Sequence, residues 1–150
     1  MKCLTNPLWY EIVIPDLLTG QFVANFLKLV QQYLQLNFVV LQYLEGVDIS
    51  ELYRNHDSKI EELDMILKLV NQAGQIIWCD FLLFEQGGFI PDDNEQYDKI
   101  IERTNATVRA VDGGYLYLYT KNKKLVQKIL KKFEEVELTE GTLNQFTLPE

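Results

Sequence analysis

The sequence predicts an α+β fold in which helices pack on a mostly antiparallel or mixed sheet of about five or six strands. Three observations carry that expectation. Short runs rich in aromatic and β-branched residues alternate with stretches whose apolar residues recur at helical spacing. The connections between them are brief and punctuated by Gly, Pro and Asp. The order β-α-β-α-β-α-β-β-α places two strands back to back across a turn signal, which favours antiparallel pairing.

Residues 9–14, Trp-Tyr-Glu-Ile-Val-Ile, form the first strand, closed at Pro15 because proline cannot donate to a ladder. Phe22, Phe26, Leu29, Val30 and Tyr33 then fall on one helical stripe, flanked by Val23, Leu27 and Leu34. Residues 37–44 read as a second strand ended by Glu45-Gly46. From 57 to 73 the positions Ile60, Leu63, Leu67 and Val70 share a face, so a helix is expected there with Gly74 as its C-terminal cap. Residues 75–85 are the most apolar run and predict a central strand, broken by Gly87-Gly88. Pro91-Asp92-Asp93 offers a turn and an N-cap for a short helix through about Arg103. Residues 107–120 alternate around Asp112-Gly113-Gly114 and predict a hairpin. A last helix over 123–134 carries Leu125, Val126, Ile129, Leu130 and Phe133 on one side and lysines on the other. An edge strand at 136–138 and a polar tail finish the chain.

The 150 residues match the size of one domain, and neither a repeat nor a low-complexity linker divides them, so a single domain over 1–150 is expected. With 47% hydrophobic residues, eight Phe, eight Tyr and two Trp, the chain has ample material for a core. Its start, Met-Lys-Cys-Leu-Thr-Asn-Pro, lacks the basic and apolar regions of a signal peptide, and no apolar run is long enough to span a membrane. A cytoplasmic protein is expected, with no membrane partner. Cys3 and Cys79 show no CxxC spacing and should stay reduced.

The formal net charge is −8, and Lys121, Lys123, Lys124, Lys128, Lys131 and Lys132 gather six of the fourteen basic residues into one short segment. Elsewhere 8 basic residues face 22 acidic ones. Such a surface repels a nucleic-acid backbone and attracts basic partners.

The strand Tyr10-Glu11-Ile12-Val13-Ile14-Pro15, the run Trp78-Cys79-Asp80-Phe81-Leu82-Leu83-Phe84, and Val111 to Tyr119 followed by Lys121 and the 126–130 helix together resemble a small bacterial family catalogued as a domain of unknown function. The resemblance implies a bacterial α+β protein and brings no functional residue with it.

Candidate site residues carry a plain structural reading beside each functional one. His56, the single histidine, stands before a helix, where it is structural unless a nucleophile meets it. The acidic run Asp92-Asp93-Asn94-Glu95 lacks the glycine and twelfth-position Glu of an EF-hand and reads as solvated helix start. The glycine pairs lack a phosphate-cradle context and read as turns. No metal site and no cofactor is expected. Alternation places Ile76, Trp78, Asp80, Leu82 and Phe84 on one strand face, where a buried carboxylate is costly without a partner. Asp80 either pairs with Arg109 or a lysine, or lines a pocket with Trp78, and His56 could join that pocket. Tyr115, Tyr117 and Tyr119 form a ladder on one strand face with Leu116 and Leu118 on the other. If the leucines meet the helices, the rings face outward and, with Arg109, suit an interface.

Three functions fit these residues. The first is a non-enzymatic acidic binding protein, an inhibitor or immunity-type partner of a basic protein. The second is a small-ligand binder or enzyme with a pocket near Asp80, Trp78 and His56. The third is self-association through an edge strand.

Overall fold

The computed structural model describes residues 8–146 and 148, and shows an α+β arrangement with one sheet of seven antiparallel strands in the order β3-β2-β4-β5-β6-β1-β7. The strands are β1 (Trp9–Pro15), β2 (Phe38–Val47), β3 (Ile60–Glu62), β4 (Gln75–Phe84), β5 (Ala106–Val111), β6 (Tyr115–Thr120) and β7 (Glu137–Gly141). The helices are α1 (Gly20–Leu34), α2 (Ser50–His56), α3 (Leu63–Gln72), α4 (Tyr97–Glu102) and α5 (Lys123–Lys132). The strand count exceeds the expected five or six because β3 lies inside a segment that reads as helix. Cys3 lies outside the described residues.

Period-two alternation divides the sheet into two unlike faces. Ile12 and Ile14 of β1, Phe81 and Leu83 of β4, Val108 of β5, and Leu116 and Leu118 of β6 enter the main core, which α1, α3 and α5 cover. On the opposite face Val40, Leu82 and Phe84 meet Ile100, while Trp9 and Tyr119 meet Ile101, Leu143 and Phe146. Among the described residues, that second face is covered by α4 and by Leu143 and Phe146.

Local chemistry fixes the main-face helices. The Thr19 side chain accepts from the Phe22 amide at 3.0 Å to start α1, and the Asn122 side chain accepts from the Leu125 amide at 2.8 Å to start α5. Gly20 is demanded by packing: a Cβ there would sit 2.2 Å from the Ala73 carbonyl oxygen and 2.3 Å from that of Val70. In the β5–β6 turn, Asp112 and Gly113 both take left-handed φ values, 55° and 66°, as a tight hairpin turn requires.

Several expected boundaries are corrected. The 57–73 helix is only α3; Ser58 takes φ 57°, and Ile60 sits exposed in β3. Gly74 does not cap α3, which ends at an extended Ala73; the Gly74 amide donates to Val47 O at 2.9 Å instead. Strand β2 runs past Glu45-Gly46 to Val47. The Asp92-Asp93 pair is a turn and not a cap, since α4 begins at Tyr97 behind Gln96. Leu130 is exposed on α5. The tail is not simply polar, because Leu143 and Phe146 are buried against Trp9 and Tyr119. Ile76 joins the main core rather than the face of Trp78.

Candidate functional site

Strands β2, β4, β5 and β6 set a row of side chains across the face on which α4 packs. Gln42 lies opposite Asp80, Asp80 opposite Arg109, and Arg109 opposite Tyr117. Directly opposed residues bring their Cβ atoms to within about 5 Å, so neighbours along the row interact. Arg109 Nε donates to Asp80 Oδ1 at 2.8 Å, with Asp80 0% and Arg109 5% exposed. The structural partner expected for Asp80 is therefore Arg109.

Helix α4 delivers the next components. Ile100 and Ile101 anchor it in the two apolar clusters of this face. Tyr97, one turn earlier, is thereby laid over Arg109, its ring centroid 3.9 Å from the guanidinium carbon. The Trp78 ring flanks the same guanidinium at 5.6 Å. Stacking of this kind suits a planar, weakly hydrated cation.

The rim comes from an irregularity in β2. The β2–β4 register shifts between Gln42 and Glu45 and again between Glu45 and Gly46. Within that stretch Tyr43 takes φ 59°, a conformation rare for an aromatic residue, and is 64% exposed. Such strain persists only where the surroundings hold it, and it collects at functional positions. The result is a concavity of about 670 Å³ lined by Tyr43, Glu45, Trp78, Tyr97, Asp98 and Arg109. Leu148 also contributes to its wall. Its size falls in the range of small-ligand pockets, roughly 300–1,000 Å³.

The electrostatics are uneven. Arg109 is balanced by Asp80, while Glu45 is exposed and Asp98 half-buried, so the wall is net negative. Burial pushes the Asp80 carboxyl above its ordinary range, against the pull of Arg109. Burial also raises the Tyr97 phenol well above its usual value, with the nearby Asp80 charge adding to it. Three buried polar atoms around this pair, Asp80 Oδ2, Gln42 Oε1 and Tyr97 Oη, lack a hydrogen-bond partner among the described residues.

The tyrosine ladder divides along its length. Tyr115 is 48% exposed, Tyr117 is half-buried, and Tyr119 is 0% exposed, stacked beside Tyr117 at a centroid separation of 6.4 Å. The Tyr119 hydroxyl donates to Glu11 Oε2 at 2.8 Å. Leu116 and Leu118 are core, as the alternation requires, but Tyr119 is core as well and cannot meet a partner. His56 stands apart. Its Nδ1 lies 2.8 Å from Glu61 Oε2, a pairing of the α2 end with β3, and it does not line the concavity.

These positions limit the available chemistry. Asp80, fully enclosed and held by Arg109, touches nothing that enters the concavity. Cys79 is buried in the main core, where burial raises its thiol far above the reactive range. Among the described residues, no group of three or more His, Cys, Asp or Glu side chains is placed to hold a metal ion, and no helix is long and apolar enough to cross a membrane.

Trp78, Asp80 and Arg109 are brought together as strand alternation foretells. Tyr43, Glu45, Tyr97 and Asp98 escape sequence reasoning. The acid Asp98 has a signal, its place at a helix start, but Tyr43 has none. No family model matches the chain, and no curated protein or solved structure matches it either.

Proposed function

We propose that the protein is a non-enzymatic binding protein whose partner is a basic protein, docked over the concavity and the exposed end of the tyrosine ladder. The observation that supports this most is the concavity itself, an aromatic wall that also carries the carboxylates of Glu45 and Asp98, neither in an ion pair among the described residues. Aromatic side chains in recesses are frequent binding hot spots, and opposite potentials speed encounter. The register extends the surface: Cys79 lies opposite Ala110 and Val111 opposite Tyr115, so Trp78 and Tyr115 share one row of the same face. The net charge of −8 adds long-range attraction for a basic partner.

Affinity capture with the wild-type chain, Tyr43→Ala and Tyr115→Ser tests the proposal. A basic protein should be retained by the wild type at low salt and lost by Tyr43→Ala. Retention that survives both substitutions would sink it.

A small-molecule ligand is the second reading, favoured by the volume of the recess and its aromatic lining. Such a ligand would raise the melting temperature without any protein partner. Edge-to-edge self-association stays a third proposal, resting on β7, which among the described residues pairs only with β1 and is exposed along four of its five residues.

A further inference from the structure

We infer that the concavity seats an organic cation, the ammonium or guanidinium head of a lysine-like or arginine-like side chain, against Tyr43 and Trp78 with Glu45 and Asp98 as its counter-charges. This rests on the proposed binding role and names the chemical group that role would recognise.

Two ligand charges compete for such a recess, and the surroundings decide between them. An anion would have to be drawn by Arg109, the one cationic residue among the described residues of the wall. That guanidinium is already committed: Nε donates to Asp80, and the Tyr97 ring lies over it at 3.9 Å. An entering anion would also face Glu45 and Asp98, and the Asp80 charge behind Arg109 cancels much of the attraction.

A cation meets the opposite balance. Tyr43 is exposed and Trp78 only half-buried, so ring surface of both borders the recess, with Arg109 already 5.6 Å from the Trp78 centroid. A ring face within about 6 Å of a cation attracts it, most strongly for Trp. Glu45 and Asp98 then supply charge-assisted acceptors. The Asp80 charge behind Arg109 offsets the guanidinium, so a cation meets Glu45 and Asp98 with little opposing repulsion. The left-handed Tyr43 belongs to the same design, because the bulge that strains it also places its ring in the wall.

The test titrates n-butylguanidinium and n-butylammonium against n-butyrate and inorganic phosphate at low ionic strength, following amide shifts and Trp fluorescence. Trp9 is buried in another cluster, so Trp78 should dominate a ligand-induced change. Both cations should bind and both anions should not. Glu45→Gln and Asp98→Asn should each weaken the cations roughly three- to tenfold, and Tyr43→Ala should do so by a similar factor. The melting temperature of each variant shows whether it still folds, and Glu45→Gln, at an exposed position, is the arm least exposed to misfolding. Anion binding without cation binding would overturn the inference while leaving the concavity a binding site. Silence from all four probes would overturn both the inference and the concavity's role in the proposed function. Cation binding unaffected by Glu45→Gln, Asp98→Asn and Tyr43→Ala would place the cations elsewhere and overturn the inference.

Discussion

Asp80 and Arg109 face each other across β4 and β5 and are joined by a 2.8 Å Nε to Oδ1 hydrogen bond, both almost entirely removed from water. Two buried charges are tolerable only as a pair, because each alone would carry its desolvation cost uncompensated. Asp80→Ala should therefore cost about 3–5 kcal/mol, most of it from the abandoned guanidinium. The paired replacement Asp80→Leu with Arg109→Met should recover much of that loss. Urea midpoints of the single and double variants decide the matter, and an unchanged midpoint for Asp80→Ala would show that the pair contributes nothing.

The ladder on β6 predicts a graded response. Tyr115→Ser should change stability by no more than about 0.5 kcal/mol, the range of ordinary surface substitutions. Tyr119→Ala should cost about 3–5 kcal/mol, since it empties a space among Trp9, Ile101, Leu143 and Phe146. Tyr119→Phe isolates the hydrogen bond to Glu11 and should cost about 1.5–3 kcal/mol, the usual range for a bond to a charged group. Equal losses at positions 115 and 119 in thermal melts would contradict the exposure gradient.

How much of this was legible in the sequence follows from the backbone at each position. Asp80 and Arg109 could be placed because β4 and β5 alternate regularly where they pair, so residue parity fixes the face, and Trp78 follows from Asp80 two residues away, although the same parity fails at Ile76. Tyr43 could not: Leu41-Gln42-Tyr43-Leu44 reads as ordinary strand, and a left-handed non-glycine residue leaves no mark in composition. Ser58 hides in the same way, breaking a helical period that Ile60, Leu63, Leu67 and Val70 continue in the sequence. Helix α2 buries Leu52 but leaves Tyr53 exposed, too few apolar contacts to produce a period. The closing of the second face by Leu143 and Phe146 depends on contacts with Trp9 and Tyr119 far away in the chain, which local patterns do not encode.

Gly20 gives a prediction about packing between helices. Gly20→Ala would push a methyl group against two backbone carbonyls of the α3 end, neither of which is a flexible side-chain tip. A loss of about 1–3 kcal/mol is expected despite alanine's better helix propensity. A gain in melting temperature would show that α1 and α3 can slide apart freely.

Asp57 supplies a prediction about pH. Its Oδ1 is buried without a partner among the described residues, and burial raises its pKa above the ordinary aspartate value, with a hydrogen bond from the Leu44 backbone opposing the shift. A carboxyl whose folded pKa exceeds its unfolded one binds its proton more tightly when folded. Its charged form therefore weighs against folding at neutral pH, and that handicap disappears as pH falls through the folded pKa toward the unfolded value near 3.9. Asp57→Asn removes the charge while keeping an oxygen to accept from Leu44. The variant should melt above the wild type at pH 7, and the gap should shrink as pH falls through the folded pKa and close below about pH 4, the unfolded value. Melting curves of the two proteins across that interval provide the check. A gap that stays constant would mean that Asp57 titrates alike in both states, and a gap that widens toward low pH would reverse the assigned direction of the shift.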